Sequence, residues 1–550
     1  MTPTLATLLL ITFAVSVLSL VVLGWAVWRH HMRWGPAAAR VIFGPREEGI
    51  PEEPAVPAGE EKRIRPEADL DSLPEAAREE LLDRAEADRS SAAPVLLFLL
   101  SSTVWLVVGS IVGVVVALKF TFPDWLTGSA LLTFGRLRPI HLNAVIYGWL
   151  SMAGIAVMLW LLPRVLRTRL RGTWWAVTGG VIWNVAVTAG LIALAFGWTD
   201  GLEWMEIPWA IDILFVLAGG LMAVPLFATL KHRRVGHLYV SVWYFAAALV
   251  WFPILFVIGN WPNLHFGVEH AAVNWWFAHN VLGLWLTPIG LGAAYYLIPK
   301  VLGKPIYSYS LSLVGFWALA LFYSQAGIHH LIGGPVPTWL VTLSIVQSVM
   351  MVIPVIAVAI NHHVTMVGHF RALRHSPTLR FVVAGAMMYT AVSLTGSLQS
   401  LRSVNQLVHF THYTVGHAHM GVYAFASMIV FGAIYFLVPR VTAREWPRPA
   451  LISWHFWLSF LGVGLYVVAL TIGGVLQGLA MMDPDLPFIE SVRVTLPYLH
   501  ARSVGGAMMT AGHLVFAYHV AVLVLGRGPV RQEAPWRPKL SSLSNPEIAS

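Results

Sequence analysis

Residues 409–440 read HFTHYTVGHAHMGVYAFASMIVFGAIYFLVPR. Between Thr414 and Val438 no side chain carries a fixed charge, and Arg440 closes the run. About twenty apolar residues cross a bilayer as a helix, and in hydrocarbon an open-ended segment satisfies its backbone only as a helix. The stretch therefore predicts a transmembrane helix, and an unusual one, because His417 and His419 lie within it. The whole chain agrees. Its 550 residues are 57% hydrophobic and only 11% charged, where soluble proteins are near a quarter charged. Disorder is excluded by the apolar fraction. A disulfide scaffold, a thiolate metal site and covalent c-type haem are excluded by the absence of cysteine. Any redox centre must be held by the 22 histidines or by methionine.

The fold class expected is all-α, a polytopic membrane protein with about thirteen spans. These are read near 5–28, 94–118, 140–163, 174–198, 208–230, 238–260, 271–298, 310–332, 338–360, 380–400, 414–438, 452–475 and 502–526. Residues 1–30 form an N-terminal anchor rather than a signal peptide, since no basic stretch precedes the apolar run and Trp28, Arg29, His30 and His31 follow it. Residues 31–92 are a soluble cytoplasmic linker with an amphipathic helix near Pro74–Asp88, 93–528 the membrane domain, and 529–550 a cytoplasmic tail.

The net charge of +8 is distributed by loop. Basic loops carry Arg164, Arg167, Arg169 and Arg171; Lys231, Arg233 and Arg234; Lys300 and Lys304; Arg371, Arg374 and Arg380; Arg440, Arg444 and Arg448; and Arg527. Intervening loops carry Asp200, Glu203 and Glu206, or Glu269, or Asp483, Asp485 and Glu490. Such alternation orients a membrane protein with its basic loops and C-terminus in the cytoplasm and its N-terminus outside. The partner is thus a lipid bilayer and not nucleic acid.

His232, His237, His362, His363, His369 and His375 sit at the basic ends of helices and read as solvated loop residues. His141, His279, His329, His330, His417 and His419 instead all fall in the outer third of the membrane. A lone intramembrane histidine is more often a hydrogen-bonded packing residue, but six at one depth point to metal. His417 and His419 are two residues apart, so at about 100° per residue they face nearly opposite sides of one helix and should serve different metals. Tyr323 precedes His330 by seven residues, which would put both on one helix face.

Four strings, FGRLRPIHLNAVIYGW (134–149), VNWWFAHNVLGLWLTPIGLGAAYYLIPK (273–300), YSYSLSLVGFWALALFYSQAGIHHL (307–331) and the stretch 409–440, resemble the catalytic subunit of cbb3-type cytochrome c oxidases, the C family of haem-copper oxygen reductases. The resemblance covers about residues 94–526 and that family's twelve helices, leaving the N-terminal span as an extra one. It implies a low-spin haem b with axial ligands His141 and His419, a high-spin haem b on His417, and one copper ion on His279, His329 and His330. It also implies a role for Tyr323 as donor of an electron and a proton when the O–O bond breaks, joined covalently to His279. A single proton path is implied on Ser312, Tyr309 and Tyr295, and Arg138, His409 and Arg502 match positions that serve haem propionates.

Three departures from that pattern stand out. Thr395 replaces a glutamate near the high-spin haem, and His412 replaces an aspartate. Glu206 is kept while Pro208 replaces its companion glutamate, so Glu206 is a candidate calcium ligand that lacks its usual partner. Residues 5–50, ending WGPAAARVIFG, faintly resemble a small assembly subunit and suggest a fusion.

The resemblance implies a terminal respiratory oxidase in a bacterial or archaeal plasma membrane. It would reduce oxygen to water, pump protons, work with c-type cytochrome subunits, and take electrons from a soluble or membrane-bound cytochrome c. A nitric oxide reductase of the same superfamily is the alternative, disfavoured by Tyr323 and by the lack of acids near the histidines. A metal-free proton-coupled transporter is a remoter one, since inverted repeats and broken helices are not seen.

Overall fold

The structure, a computed structural model, describes residues 75–525 and 527–529. The expected N-terminal anchor, most of the linker and nearly all of the tail lie outside the described residues. Among the described residues eleven helices are long and apolar enough to cross a membrane, and a shorter apolar helix joins them. In chain order they are α1 (Glu75–Lys119), α2 (Phe134–Val165), α3 (Thr173–Phe196), α4 (Trp209–Lys231), α5 (Val240–Asn260), α6 (Gly267–Leu302), α7 (Tyr309–Tyr323), α8 (Thr338–Met366), α9 (Pro377–Gln399), α10 (His412–Thr442), α11 (Pro449–Met482) and α12 (Phe488–Val524). Each matches one expected run from the second onward. From Glu75 onward the expected amphipathic segment and the first of these runs form one continuous helix, α1.

Two features differ from the sequence expectation. The run 310–332 is not one helix: α7 stops at Tyr323, and His329 and His330 stand on a separate 3₁₀ turn, Ala326–Leu331. The turn tucks against α6, where a Cβ on Gly327 would lie 2.5 Å from the Trp275 carbonyl. It is tethered to α8 by the Ser344 hydroxyl, which donates to Ala326 O (2.5 Å) and accepts from the His329 N–H (2.8 Å). The second feature is a widened π turn inside α2 (Ala144–Ser151), α6 (Val281–Leu286) and α10 (Met420–Ser427). Such turns gather at functional sites, and here each begins within three residues of His141, His279 or His419.

Those three helices are the most enclosed of the bundle. Their apolar windows are 83–94% buried, against 33–50% for the others, which present an apolar face to lipid. The basic loops meet at one end: the Arg234 N–H donates to Leu166 O, and Arg167 and Arg234 both reach Asp83 of α1. One layer deeper, the Asp88 carboxylate accepts from Arg164 Nη1 (2.5 Å) and from Trp160 Nε1 (2.8 Å), with the Asp88 and Arg164 side chains only 17% and 8% exposed.

Removing one partner of such an enclosed pair strands the other charge. Asp88→Ala should therefore cost about 3 kcal/mol of stability, read as a lower thermal unfolding midpoint in detergent, and Asp88→Asn should cost less. An unmoved midpoint in the alanine variant would show that the pair contributes nothing.

Candidate metal centre

His279, His329 and His330 each offer a ring nitrogen, and these nitrogens lie within 4.8 Å of one another. Among the described residues no other group of three or more potential ligands comes together in this way. The supports differ. His329 Nδ1 donates to Ser348 Oγ (2.8 Å), whose own proton goes to Ser344 O, so Nε2 is left with a lone pair. His330 stacks on Trp275 at 4.2 Å between ring centres. His279 leaves Nδ1 buried with no hydrogen-bond partner, as expected of a nitrogen reserved for another kind of bond.

The remaining three histidines divide as their spacing predicts. The His419 ring lies 6.4 Å from that of His141 with only 13° between the planes. An iron with nitrogen bonds of about 2 Å on each side needs about 6 Å between ring centres. Both rings give Nδ1–H to a backbone carbonyl, His141 to Gly109 (2.7 Å) and His419 to Val415 (2.8 Å), and so keep the Nε2 lone pair free. Gly113 makes room, since a Cβ there would sit 2.7 Å from the His141 ring. His417 turns instead toward α9. Its Nδ1 lies 3.3 Å from Thr395 Oγ1, whose proton is held by the Ala391 or Val392 carbonyl. The hydroxyl therefore accepts from the ring, and Nε2 is again free. Thr395 is thus a direct partner of His417. All six histidines line one cavity of about 610 Å³.

Tyr323 reaches this cavity by a different route from the one its spacing suggested. It shares no helix face with His330, because α7 has ended. It packs on His279, 4.4 Å between ring centres and 26° between planes. Gly283 permits this, as any Cβ there would overlap the Tyr323 ring.

Arg138, His409, Arg502 and His412 also line the cavity. Arg138 holds Glu203 at 2.7 Å, His409 stacks on Phe410, and the buried Arg502 has Nε unpartnered. Glu206 does not line the cavity. One of its oxygens accepts from Asn143 Nδ2 (2.9 Å), the other is unpartnered, and burial, reinforced by Glu203, raises its carboxyl to about 7. Pro208 stands at the start of α4.

Toward the basic end, Ser312 and Tyr295 are joined through Asn361, whose Nδ2 lies 3.1 Å from Ser312 Oγ and 3.3 Å from the Tyr295 hydroxyl. Tyr309 lies at the rim, accepting from His237 Nε2 (2.6 Å) and donating to Leu238 O (3.0 Å). The sequence reading missed Asn361, and it misjudged His362. That residue is 2% exposed, stands against Tyr295 at 4.5 Å, and leaves both ring nitrogens unpartnered. His363 is likewise partly enclosed, whereas His232, His237, His369 and His375 are exposed as expected. The signal was available: Asn361 and His362 follow a long apolar run with no break before them.

Residues 93–508 match the family described as cytochrome c and quinol oxidase polypeptide I. The cbb3-type cytochrome c oxidase subunit CcoN1 of Stutzerimonas stutzeri is 35% identical over 469 residues, 82% of this chain and 99% of that protein. Cytochrome c oxidase subunit 1 of Rhodobacter capsulatus is 34% identical over 444 residues, 76% of this chain and 83% of the relative. A heme-copper terminal oxidase dimer solved by cryo-electron microscopy shares the fold, with a TM-score of 0.68 at 16% identity over 79% of this chain and 84% of that one.

Three imidazole nitrogens without a thiolate suit copper. Purified His330→Ala protein should hold at least about tenfold less copper than the parent, because losing a ligand outweighs the loss of a ligand's support, while its haem spectra persist. Metal analysis showing full copper would remove His330 from the site.

Proposed function

Because the chain belongs to the cytochrome c and quinol oxidase polypeptide I family, with cbb3-type subunits among its relatives, its enzyme class is cytochrome c oxidase, and we propose that it reduces oxygen to water with electrons from c-type cytochromes and couples this to proton translocation. The single observation that carries the reading is the convergence on one cavity of a parallel histidine pair, a separate histidine and a three-nitrogen cluster backed by a tyrosine.

In this reading His141 and His419 hold a low-spin haem b, His417 holds a high-spin haem b, and His279, His329 and His330 hold one copper ion. When bound, these groups supply electron transfer, an open coordination position for oxygen, and part of the reducing charge. The protein supplies the rest. Cleaving the O–O bond in one step takes four electrons, and Tyr323, seated on His279, would supply the one that the bound metals lack, together with its hydroxyl proton. Thr395, Ser348 and the Gly109 and Val415 carbonyls hold the ring protons away from the metals. Arg138, His409 and Arg502 balance haem propionates, and Glu206 remains a candidate calcium ligand.

The basic end faces the cytoplasm, with the C-terminus there and the N-terminus outside, in a bacterial or archaeal plasma membrane. From that side protons pass Tyr309, Ser312 and Tyr295 with Asn361 between the last two. Without cysteine the chain cannot bind covalent c-type haem through a CxxCH motif, so membrane-anchored c-type cytochrome subunits accompany it. A nitric oxide reductase would place carboxylates beside the second metal. Among the described residues the one carboxylate lining the cavity is Glu203, already held by Arg138.

Tyr323→Phe keeps the ring and removes only the hydroxyl. We expect intact haem spectra, at least a hundredfold loss of oxygen reduction, and retention of slow nitric oxide turnover, since that reaction takes only two electrons. Parental oxygen turnover in this variant would make nitric oxide reduction the preferred reading. Ser312→Ala should slow oxygen turnover several-fold with haem content unchanged, and Asn361→Leu should do the same. If both left turnover untouched, this stripe would be reduced to helix packing.

A further inference from the structure

A second pocket, of about 320 Å³, lies at the basic end between α1, α2 and α6, apart from the metal cavity and from the Ser312–Tyr295 path. That volume is at the lower end of those that hold small ligands. Its charge is one-sided. Among the described residues Arg84, Arg164, Arg167 and Lys300 line it, together with one carboxylate, Asp83, and one phenol, Tyr296. Asp83 is engaged on both oxygens, Oδ2 with Arg167 Nε (3.1 Å) and Oδ1 with Arg234 Nη1 (2.7 Å). A guest therefore meets mostly cations and a hydroxyl.

The depth of this pocket follows from the sequence. No fixed charge lies between Arg138 and Arg164, or between Glu269 and Lys300. Arg164 and Lys300 thus mark where α2 and α6 leave hydrocarbon, and on the basic side that level belongs to the phosphates of the inner leaflet. Arg164 is the most enclosed of the four cations. Its side chain is 8% exposed, lies over the Trp160 ring at 4.8 Å, gives Nη1 to Asp88 and leaves Nε buried without a hydrogen-bond partner. Arg167 and Lys300 are exposed and form the rim. Arg167 also holds a left-handed backbone, φ 52°, which side-chain-bearing residues seldom adopt and which gathers at ligand clamps.

Basic residues just beyond a membrane helix are what topology alone demands, and the carbonyl ends of α2 and α6 favour a cation. Topology does not demand convergence. Arg371 and Arg374, in another basic loop, are exposed and line neither cavity. Here four cations from three helices face one space. Guanidinium forks and an ammonium group together match a tetrahedral oxyanion, since a phosphate accepts from several of them at once and a carboxylate has only two oxygens to offer. Clustered basic side chains between membrane helices on the cytoplasmic side are suited to phosphate headgroups for the same reason.

We infer that this pocket binds a phosphate group, held by Arg167 and Lys300 at the rim and by Arg84, Arg164 and the Tyr296 hydroxyl within. The phosphate belongs to the headgroup of an anionic phospholipid of the cytoplasmic leaflet or to a compound dissolved in the cytoplasm, and the chemistry that recognises it is the same. Once bound, it ties α1 to the basic ends of α2 and α6, the helices that carry His141 and His279. The inference does not depend on the oxidase reading.

The test uses the intact purified complex in two arms. In one it is reconstituted in phosphatidylcholine vesicles with increasing phosphatidylglycerol, recovered in detergent and assayed for retained phosphatidylglycerol. In the other, equilibrium dialysis measures binding of labelled inorganic pyrophosphate to complex held in phosphatidylcholine alone. Arg167→Gln combined with Lys300→Gln removes the rim charges and leaves Asp83 its contact with Arg234. This double variant is expected to weaken binding at least about tenfold, while Arg371→Gln with Arg374→Gln, which removes the same charge outside the pocket, leaves both arms at parental values. Loss in the lipid arm assigns a headgroup, and loss in the dialysis arm alone assigns a dissolved phosphate. Parental binding by the Arg167 and Lys300 variant in both arms, an equal loss in the Arg371 and Arg374 variant, or a parental complex that takes up neither probe would overturn the site. Haem spectra and the thermal midpoint report folding. If the double variant fails to fold, Tyr296→Phe, which removes only a hydroxyl, decides: weaker binding supports the site and parental binding overturns it.

Discussion

Two hydrogen bonds between indoles and hydroxyls hold the centre of this bundle. Trp149 Nε1 donates to Ser427 Oγ (3.0 Å), and Trp285 Nε1 donates to Ser151 Oγ (2.9 Å). All four residues lie in the π turns of α2, α6 and α10, so the three widened turns are braced to one another at one level, directly beneath the ligand histidines. A π turn adds a residue to the helical repeat and shifts the register of the helix on one side of it against the helix on the other. The segment above can therefore aim a histidine at the cavity while the segment below keeps its own packing face. Loss of the brace would free each helix to relax toward an ordinary α repeat, and the parallel approach of His141 and His419 depends on two of the three helices at once.

Within that frame each imidazole obeys a second constraint. In a water-poor interior a protonated ring is too costly, so the rings are neutral and each has one donor and one acceptor to place. His141, His419, His329 and His417 spend the donor on a carbonyl or hydroxyl and keep the acceptor for the cavity. Thr395, a departure from the family pattern, fits this scheme: a hydroxyl with its own proton committed elsewhere serves as the acceptor. The charge that a glutamate would add is absent here, and the ring's orientation is retained.

Much of this was legible in the sequence because membrane crossing imposes a length and a sign. Eleven expected runs coincide with long helices because about twenty apolar residues cross hydrocarbon best as a helix, only the run 310–332 being broken, and the arginines separate the two ends. His417 and His419 could be assigned to different neighbours from helical spacing alone. The rest was hidden for local reasons. Tyr323 and His330 were placed on one helix because apolar runs do not announce a break, whereas the structure ends α7 at Tyr323, seats the 3₁₀ turn on α6 at Gly327 and ties it to α8 through Ser344. The π turns leave no mark in residue type, since they arise from tertiary bracing. His362 was misread because nearness to basic residues suggested solvent, while the structure buries it against Tyr295 of α6.

The Ser312–Tyr295 path follows from the same economy. An electron entering a cavity with a single lining carboxylate needs a compensating proton, and in a membrane a fixed charge along the way would be expensive. Tyrosine, serine, asparagine and neutral histidine avoid that cost because they change partner or tautomer instead of charge. That path, on α6, α7 and α8, climbs toward the side where Tyr323 meets His279. The HxH segment of α10 sets His419 beside His141 and His417 beside Thr395, so one short stretch of helix fixes the separation of the two sites that an electron would visit in turn.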